Sequence, residues 1–262
     1  MIVLGAVVPH PPILLAEIGQ GRQAAASRTL EAYDQLAQRL RDLCVDRCVL
    51  ISSHGIVTLS QFHVLTEAAQ GNLGAFGAER VEFSLDPNRE LVSAILTAAR
   101  NHEVPLAAVP VWETSDHASA VPLTLLGDAA PTRTAVVGMS FLSGSAHYTC
   151  GRAIGEAAAR IDGNVAIIAS GDGVHTLSQE SPHGFHPLAK RTQAQIERAL
   201  ATWDYKALIG LDPTVREAVD ESIVSPALIL MGAMHGLACR PRILSSEAPW
   251  GVGYISVVVE MD

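Results

Sequence analysis

Three histidines stand where chemistry could be done, each just past a run of apolar residues. His10 sits in VVPHPPIL, His54 follows RCVLISS, and His175 comes a few residues after NVAIIASGD. Proline fixes φ and biases the residue before it to extended backbone, so Pro9-His10-Pro11-Pro12 confines one imidazole to a narrow range of directions. A neutral imidazole is a common metal ligand. Two of them with one carboxylate, leaving coordination positions open, suit non-haem Fe(II). The carboxylate could come from Glu17, Glu113, Asp116, Asp172, Glu217, Asp220, Glu221 or Glu247. Spacing does not choose among them.

These groups need elements to position them. Residues 2–8, 47–53, 105–112, 134–140 and 164–172 read as strands, mostly apolar throughout, as in sheets buried on both faces. Residues 22–43, 87–101 and 145–160 carry helical patterns between them, with Pro87 suited to a first helical turn. His117 stands near the start of another helix. Further helices are predicted near 188–202 and over 213–237, before late strands in CRPRILSS and GVGYISVVVE. The alternation implies one α/β domain over residues 1–262, with a central, mostly parallel sheet and helices on both faces. In such sheets ligands bind outside the carboxyl ends of the strands, the edge where His10, His54 and His175 fall. A metal pocket is expected there.

Composition narrows the classes. The 262 residues are 48% hydrophobic and 17% charged, which fits a packed globular domain rather than a disordered chain. A net charge of -9 with no basic run argues against a nucleic-acid partner. No apolar run is long enough to span a membrane, and residues 2–8 are too short for a cleavable apolar leader. Cys44, Cys48, Cys150 and Cys239 are scattered without metal-clamp spacing, so reduced thiols in a cytoplasmic protein are expected.

The segments PHPPIL, SSHG, SDHASAVPL, GDGVHTL, SPHGFHP, ESIVSPALILMGAM and SSEAPWGVGY, in that order, resemble class III extradiol ring-cleavage dioxygenases. The likeness is to the superfamily of the protocatechuate 4,5-dioxygenase catalytic subunit, and within it to the Memo-like, AMMECR1-associated branch. It spans nearly the whole chain. It implies an Fe(II) centre, with zinc or another divalent metal able to take its place, acting on a small aromatic substrate and O2. A homo-oligomer or an AMMECR1-type partner is the association it implies.

Carried over by motif, the resemblance makes His10 and His54 the metal-binding histidines and Glu221 the carboxylate ligand. It makes His175 the acid/base, with Asp172 near it, and His117 a substrate-orienting or oxygen-side group. Asp172, His186 and Trp250 are expected around the substrate pocket. His183 and His186 belong to a turn whose histidines face the pocket wall or the surface, rather than to a metal site. Tyr254 and Trp250 could equally line an aromatic pocket or pack in the core. Memo-like relatives often carry a cysteine directly after the position of Glu221, where this chain has Ser222. Two other functions fit these residues: metal or partner binding without ring cleavage, and zinc-dependent hydrolysis with a bound water as nucleophile.

Overall fold

The computed structural model describes residues 1–262. Ten strands form in chain order: Ile2–Val8 (β1), Arg47–Ser52 (β2), Phe62–Leu65 (β3), Ala69–Leu73 (β4), Ala78–Leu85 (β5), Leu106–Val109 (β6), Arg133–Gly138 (β7), Val165–Ser170 (β8), Cys239–Glu247 (β9) and Tyr254–Met261 (β10). Eight of them make one sheet in the order β6-β3-β7-β2-β8-β1-β10-β9, and β4 pairs with β5 in a separate hairpin. The centre, β7-β2-β8-β1, is parallel throughout. Antiparallel pairings occur outside it, at β3–β7, β1–β10 and β10–β9.

Alternate side chains of the central strands enter opposite layers. Val49 and Ile51 of β2 join the larger core, packed under helices Arg89–Asn101, Gly144–Ala159 and Val224–Ala233. Cys48 and Leu50 point the other way, to a core shared with helix Ser27–Asp42. Both faces are therefore covered, as parallel strands require. Two helices of the first layer touch backbone to backbone: a Cβ at Gly151 would lie 2.0 Å from the Ile229 carbonyl oxygen.

Register sets the site. Val8 pairs with Ser170, Ile51 with Ala169 and Ser52 with Gly138, so β1, β2, β7 and β8 end in line. The residues that follow emerge side by side at one edge.

The sequence reading missed several elements between residues 54 and 86. β3 is only four residues long, and the β4–β5 hairpin is half exposed, so neither offers a long apolar run. Pro87 also stands outside its helix, which begins at Arg89. Asn88 caps it instead, its Oδ1 accepting the Leu91 N–H at 2.9 Å.

Candidate metal centre

His10 leaves β1 and is fixed by the neighbouring strand. Its backbone N–H donates to Asp172 Oδ1 at 2.9 Å, and its Nδ1 lies 2.9 Å from Ser170 Oγ. Behind it, Tyr33 donates its hydroxyl to the Pro9 carbonyl. The ring is buried, and Nε2 has no hydrogen-bond partner. A buried polar nitrogen without a partner is costly, so one aimed at other donors marks a place for a ligand.

His54 sits in the turn that ends β2. Ser52 Oγ accepts both the His54 and Gly55 N–H groups, at 3.2 and 3.1 Å, and donates to Asp116 Oδ1 at 2.8 Å. Gly55 packs so closely on Trp112 that a Cβ would fall 2.2 Å from the indole. Asp116 is wholly buried and caps helix His117–Leu126 by accepting the Ser119 N–H at 3.1 Å. Its other oxygen accepts from Trp112 Nε1 at 2.7 Å and Ser119 Oγ at 2.6 Å. One carboxylate thus ties the His54 turn to the first turn of the helix that carries His117.

The outcome is a cluster of three imidazoles. His10, His54 and His117 each offer a ring nitrogen, and these nitrogens all lie within 4.8 Å of one another. Burial, then the neighbouring rings of His54, His117 and His175, hold His10 well below the usual imidazole range. His54 is lowered mainly by its enclosure, against the pull of Asp116. Burial first, then His54, takes His117 down to about 3. Lowered this far, His10 and His117 are neutral near pH 7, with lone pairs free for a cation.

Glu221, expected to complete the ligand set, is engaged away from the three imidazoles. Its side chain is 1% exposed, with Oε1 2.6 Å from Arg216 Nε and Oε2 accepting the Val224 N–H at 2.8 Å. Both oxygens are thereby committed to a buried ion pair and the start of helix Val224–Ala233. The carboxylate that does reach the cluster is Asp172, whose Oδ2 lies 3.8 Å from His10 Nε2 and 3.9 Å from His175 Nε2. Burial raises Asp172 to about 6, against the opposing pull of His175 and the His10 N–H.

His175 stands across from the cluster. Its Nδ1 is bonded to the Asp220 carbonyl oxygen, which can only accept, so the proton belongs on Nδ1 and Nε2 is left as the basic nitrogen. Asp172, His175, His54 and His117 open on a cavity of ≈ 510 Å³, with Trp250, Tyr254 and Phe76 among its walls. Phe76 comes from the turn of the β4–β5 hairpin and meets the His117 ring edge-on, with centroids 4.9 Å apart. Trp250 and Ser222 both line the cavity. His186 does not: its Nδ1 accepts the Leu188 N–H at 3.2 Å within its own turn. His183 takes the place on the wall, 2.5 Å from Asp220 Oδ2. The two histidines of SPHGFHP, three positions apart, carry no sequence signal for which one turns inward.

A cavity of ≈ 600 Å³ opens at the opposite sheet edge, near Met1, Arg152 and Asp262. Its histidines are already engaged, His102 with Glu156 and His235 with Tyr148, and they converge on nothing.

Residues 4–256 match the family described as the catalytic LigB subunit of aromatic ring-opening dioxygenase. Protein CA_C1420 of Clostridium acetobutylicum is 25% identical over 260 residues, which take in 95% of this chain and 55% of that protein. The chain therefore spans about half the length of that relative. Among solved structures, the uncharacterized protein JW3007 from Escherichia coli K12 superposes with a TM-score of 0.63 at 17% identity, covering 98% of this chain and 99% of its own. That likeness is one of fold. No helix is long and apolar enough to cross a membrane.

Proposed function

The chain belongs to the family of the catalytic LigB subunit of aromatic ring-opening dioxygenase, and from that membership we propose that it opens a catechol-type aromatic ring with O2 at a metal held by His10, His54 and His117. In such a reaction a ring carbon–carbon bond beside the diol breaks and both atoms of O2 enter the product. The observation that carries this reading is the convergence of three imidazole nitrogens within 4.8 Å, one of them buried and unpartnered, beside an aromatic-walled cavity.

Bound divalent iron would supply positive charge that favours the ionised diol, and one-electron chemistry with O2. The chain's own residues supply the rest. His175 Nε2 accepts a diol proton and returns it during ring opening, a role that typically contributes about 10²–10⁴-fold. The Asp220 carbonyl keeps that imidazole in the tautomer the role requires. Asp172 orients His10 through its backbone N–H and faces His175, where it stabilises the imidazolium formed when the proton arrives. Trp250, Phe76 and Tyr254 provide apolar surface for the substrate ring and keep water from it.

The three-imidazole donor set also favours a second reading, because it is a known donor set of catalytic zinc. A zinc-dependent hydrolase would use the same cavity. Protein loaded anaerobically with Fe(II), then given catechols and air, separates the two. Consumption of O2 with appearance of a coloured ring-opened product is expected from the iron form. Inactivity of iron-loaded protein, with ester or amide hydrolysis by zinc-loaded protein, would overturn the dioxygenase reading.

A further inference from the structure

The cavity that receives the ring is lined by two carboxylates and by no guanidinium or ammonium group. Asp172 lies at its floor, and Asp220 stands at its mouth with its side chain 51% exposed. Arg216, on the helix leading to Asp220, is turned to Glu221 and Ser225 and opens on a different cavity. The His183 imidazole engages Asp220 Oδ2, and the Asp220 carbonyl holds His175. The same residue therefore touches both the mouth and the acid/base histidine.

We propose that this site selects aromatic diols whose remaining substituent is neutral or cationic, rejecting those that carry a carboxylate, and that Asp220 reads this charge. The inference rests on the ring-opening reading above and narrows its substrate class. A substrate carboxylate would give up its hydration for a wall offering no guanidinium or ammonium group, where the one imidazole at the mouth, His183, is already engaged by Asp220, and would meet like charge there. An ammonium group would meet Asp220 on a wall that also holds Trp250 and Phe76, aromatic rings of the kind that attract cations through their quadrupoles. The positive charge of a bound metal would be offset by the ionised diol oxygens, which all such ligands share, so the wall and mouth are left to distinguish the substituents.

Three catechols of similar size, bearing methyl, aminomethyl or carboxylate at position 4, provide the test. Their binding to Fe(II)-loaded protein is measured anaerobically by titration calorimetry at low salt. The methyl and aminomethyl compounds should bind at least about tenfold more tightly than the carboxylate, which is roughly 1.4 kcal/mol. Asp220 has φ 52°, a left-handed backbone that asparagine tolerates, so Asp220→Asn tests the mouth charge with little backbone cost. In that variant the ratio of aminomethyl to carboxylate affinity should fall. Carboxylate binding as tight as the other two in the unmodified protein would overturn the inference, whatever the variant does. An unchanged ratio in Asp220→Asn would overturn the part given to Asp220. Failure of all three compounds to bind iron-loaded protein would instead overturn the ring-opening reading, and this inference with it.

Discussion

The His54 and His117 rings are stacked, with centroids 4.2 Å apart and planes inclined by 27°. One ring comes from the turn after β2 and the other from the start of a helix, so nothing local in the chain brings them together. The buried carboxylate of Asp116 does, through Ser52 on one side and the helix N-terminus on the other. Asp116→Asn keeps a side chain able to cap a helix, but it turns an amide N–H₂ toward donors that need an acceptor. Metal affinity, measured by competition with a chromogenic chelator, should fall by about 10–100-fold, the range for groups that orient metal ligands. Unchanged affinity would mean the two rings hold their places without it.

The donor set itself is tested by retention of metal. Replacing His10, His54 or His117 with alanine should each reduce bound iron sharply. Glu221→Ala should leave metal content near that of the unmodified protein, because both carboxylate oxygens serve Arg216 and Val224. Its cost should fall on stability. Removing one partner of a buried ion pair typically costs about 3–5 kcal/mol, and Arg216, 22% exposed, recovers some hydration. Urea unfolding of the metal-free protein would read that loss. Iron loss in Glu221→Ala without loss of stability would restore it as a ligand.

The strand-end histidines were legible because β1, β2 and β8 are almost uninterrupted apolar runs, and Pro9, Ser53-His54 and Gly171 break them visibly. The central sheet could be read for the same reason. The acidic residue that faces the cavity could not. Asp220 and Glu221 are neighbours of like chemistry, and which faces the cavity depends on the left-handed backbone at Asp220, a property of tertiary packing. His117 was placed near the pocket by resemblance, but its closeness to His10 depends on a fold-wide juxtaposition. Its ring lies 5.2 Å from that of His10, between residues far apart in the chain. The β4–β5 hairpin, and with it Phe76, was invisible because short, half-exposed strands carry little periodic signal.

Thiol chemistry offers a check on the layers around the sheet. All four cysteines are free. Burial pushes Cys48 and Cys150 up to about 12, so at pH 8 each is ionised to roughly one part in ten thousand. Cys44 is exposed, and burial raises Cys239 as well. A disulfide reagent added to native protein should modify Cys44 quickly and Cys239 slowly. Cys48 and Cys150 should react only after denaturant is added, as peptide mass analysis would show. Early modification of Cys150 would contradict the packing of helix Gly144–Ala159 against the sheet.

The separation of metal holding from proton transfer rests on His175. Its Nδ1 is occupied by the Asp220 carbonyl, and its Nε2 faces Asp172 at 3.9 Å rather than joining the three-imidazole group. A residue so placed can move a proton without holding the metal. Glutamine at this position has an N–H₂ group that can still donate to a carbonyl, but it cannot accept and release a proton near pH 7. His175→Gln should therefore keep its iron while the rate of ring opening falls by about 10²–10⁴-fold. Metal analysis and stopped-flow turnover on one sample give both quantities. The pH profile adds a readout that a merely structural role would not move: the limb belonging to the base should vanish from the residual activity. Parallel loss of iron and turnover would make His175 a ligand. Full turnover with iron retained would move the base to another group on the cavity wall, with His183, 6.4 Å from His175 ring to ring, the next to replace.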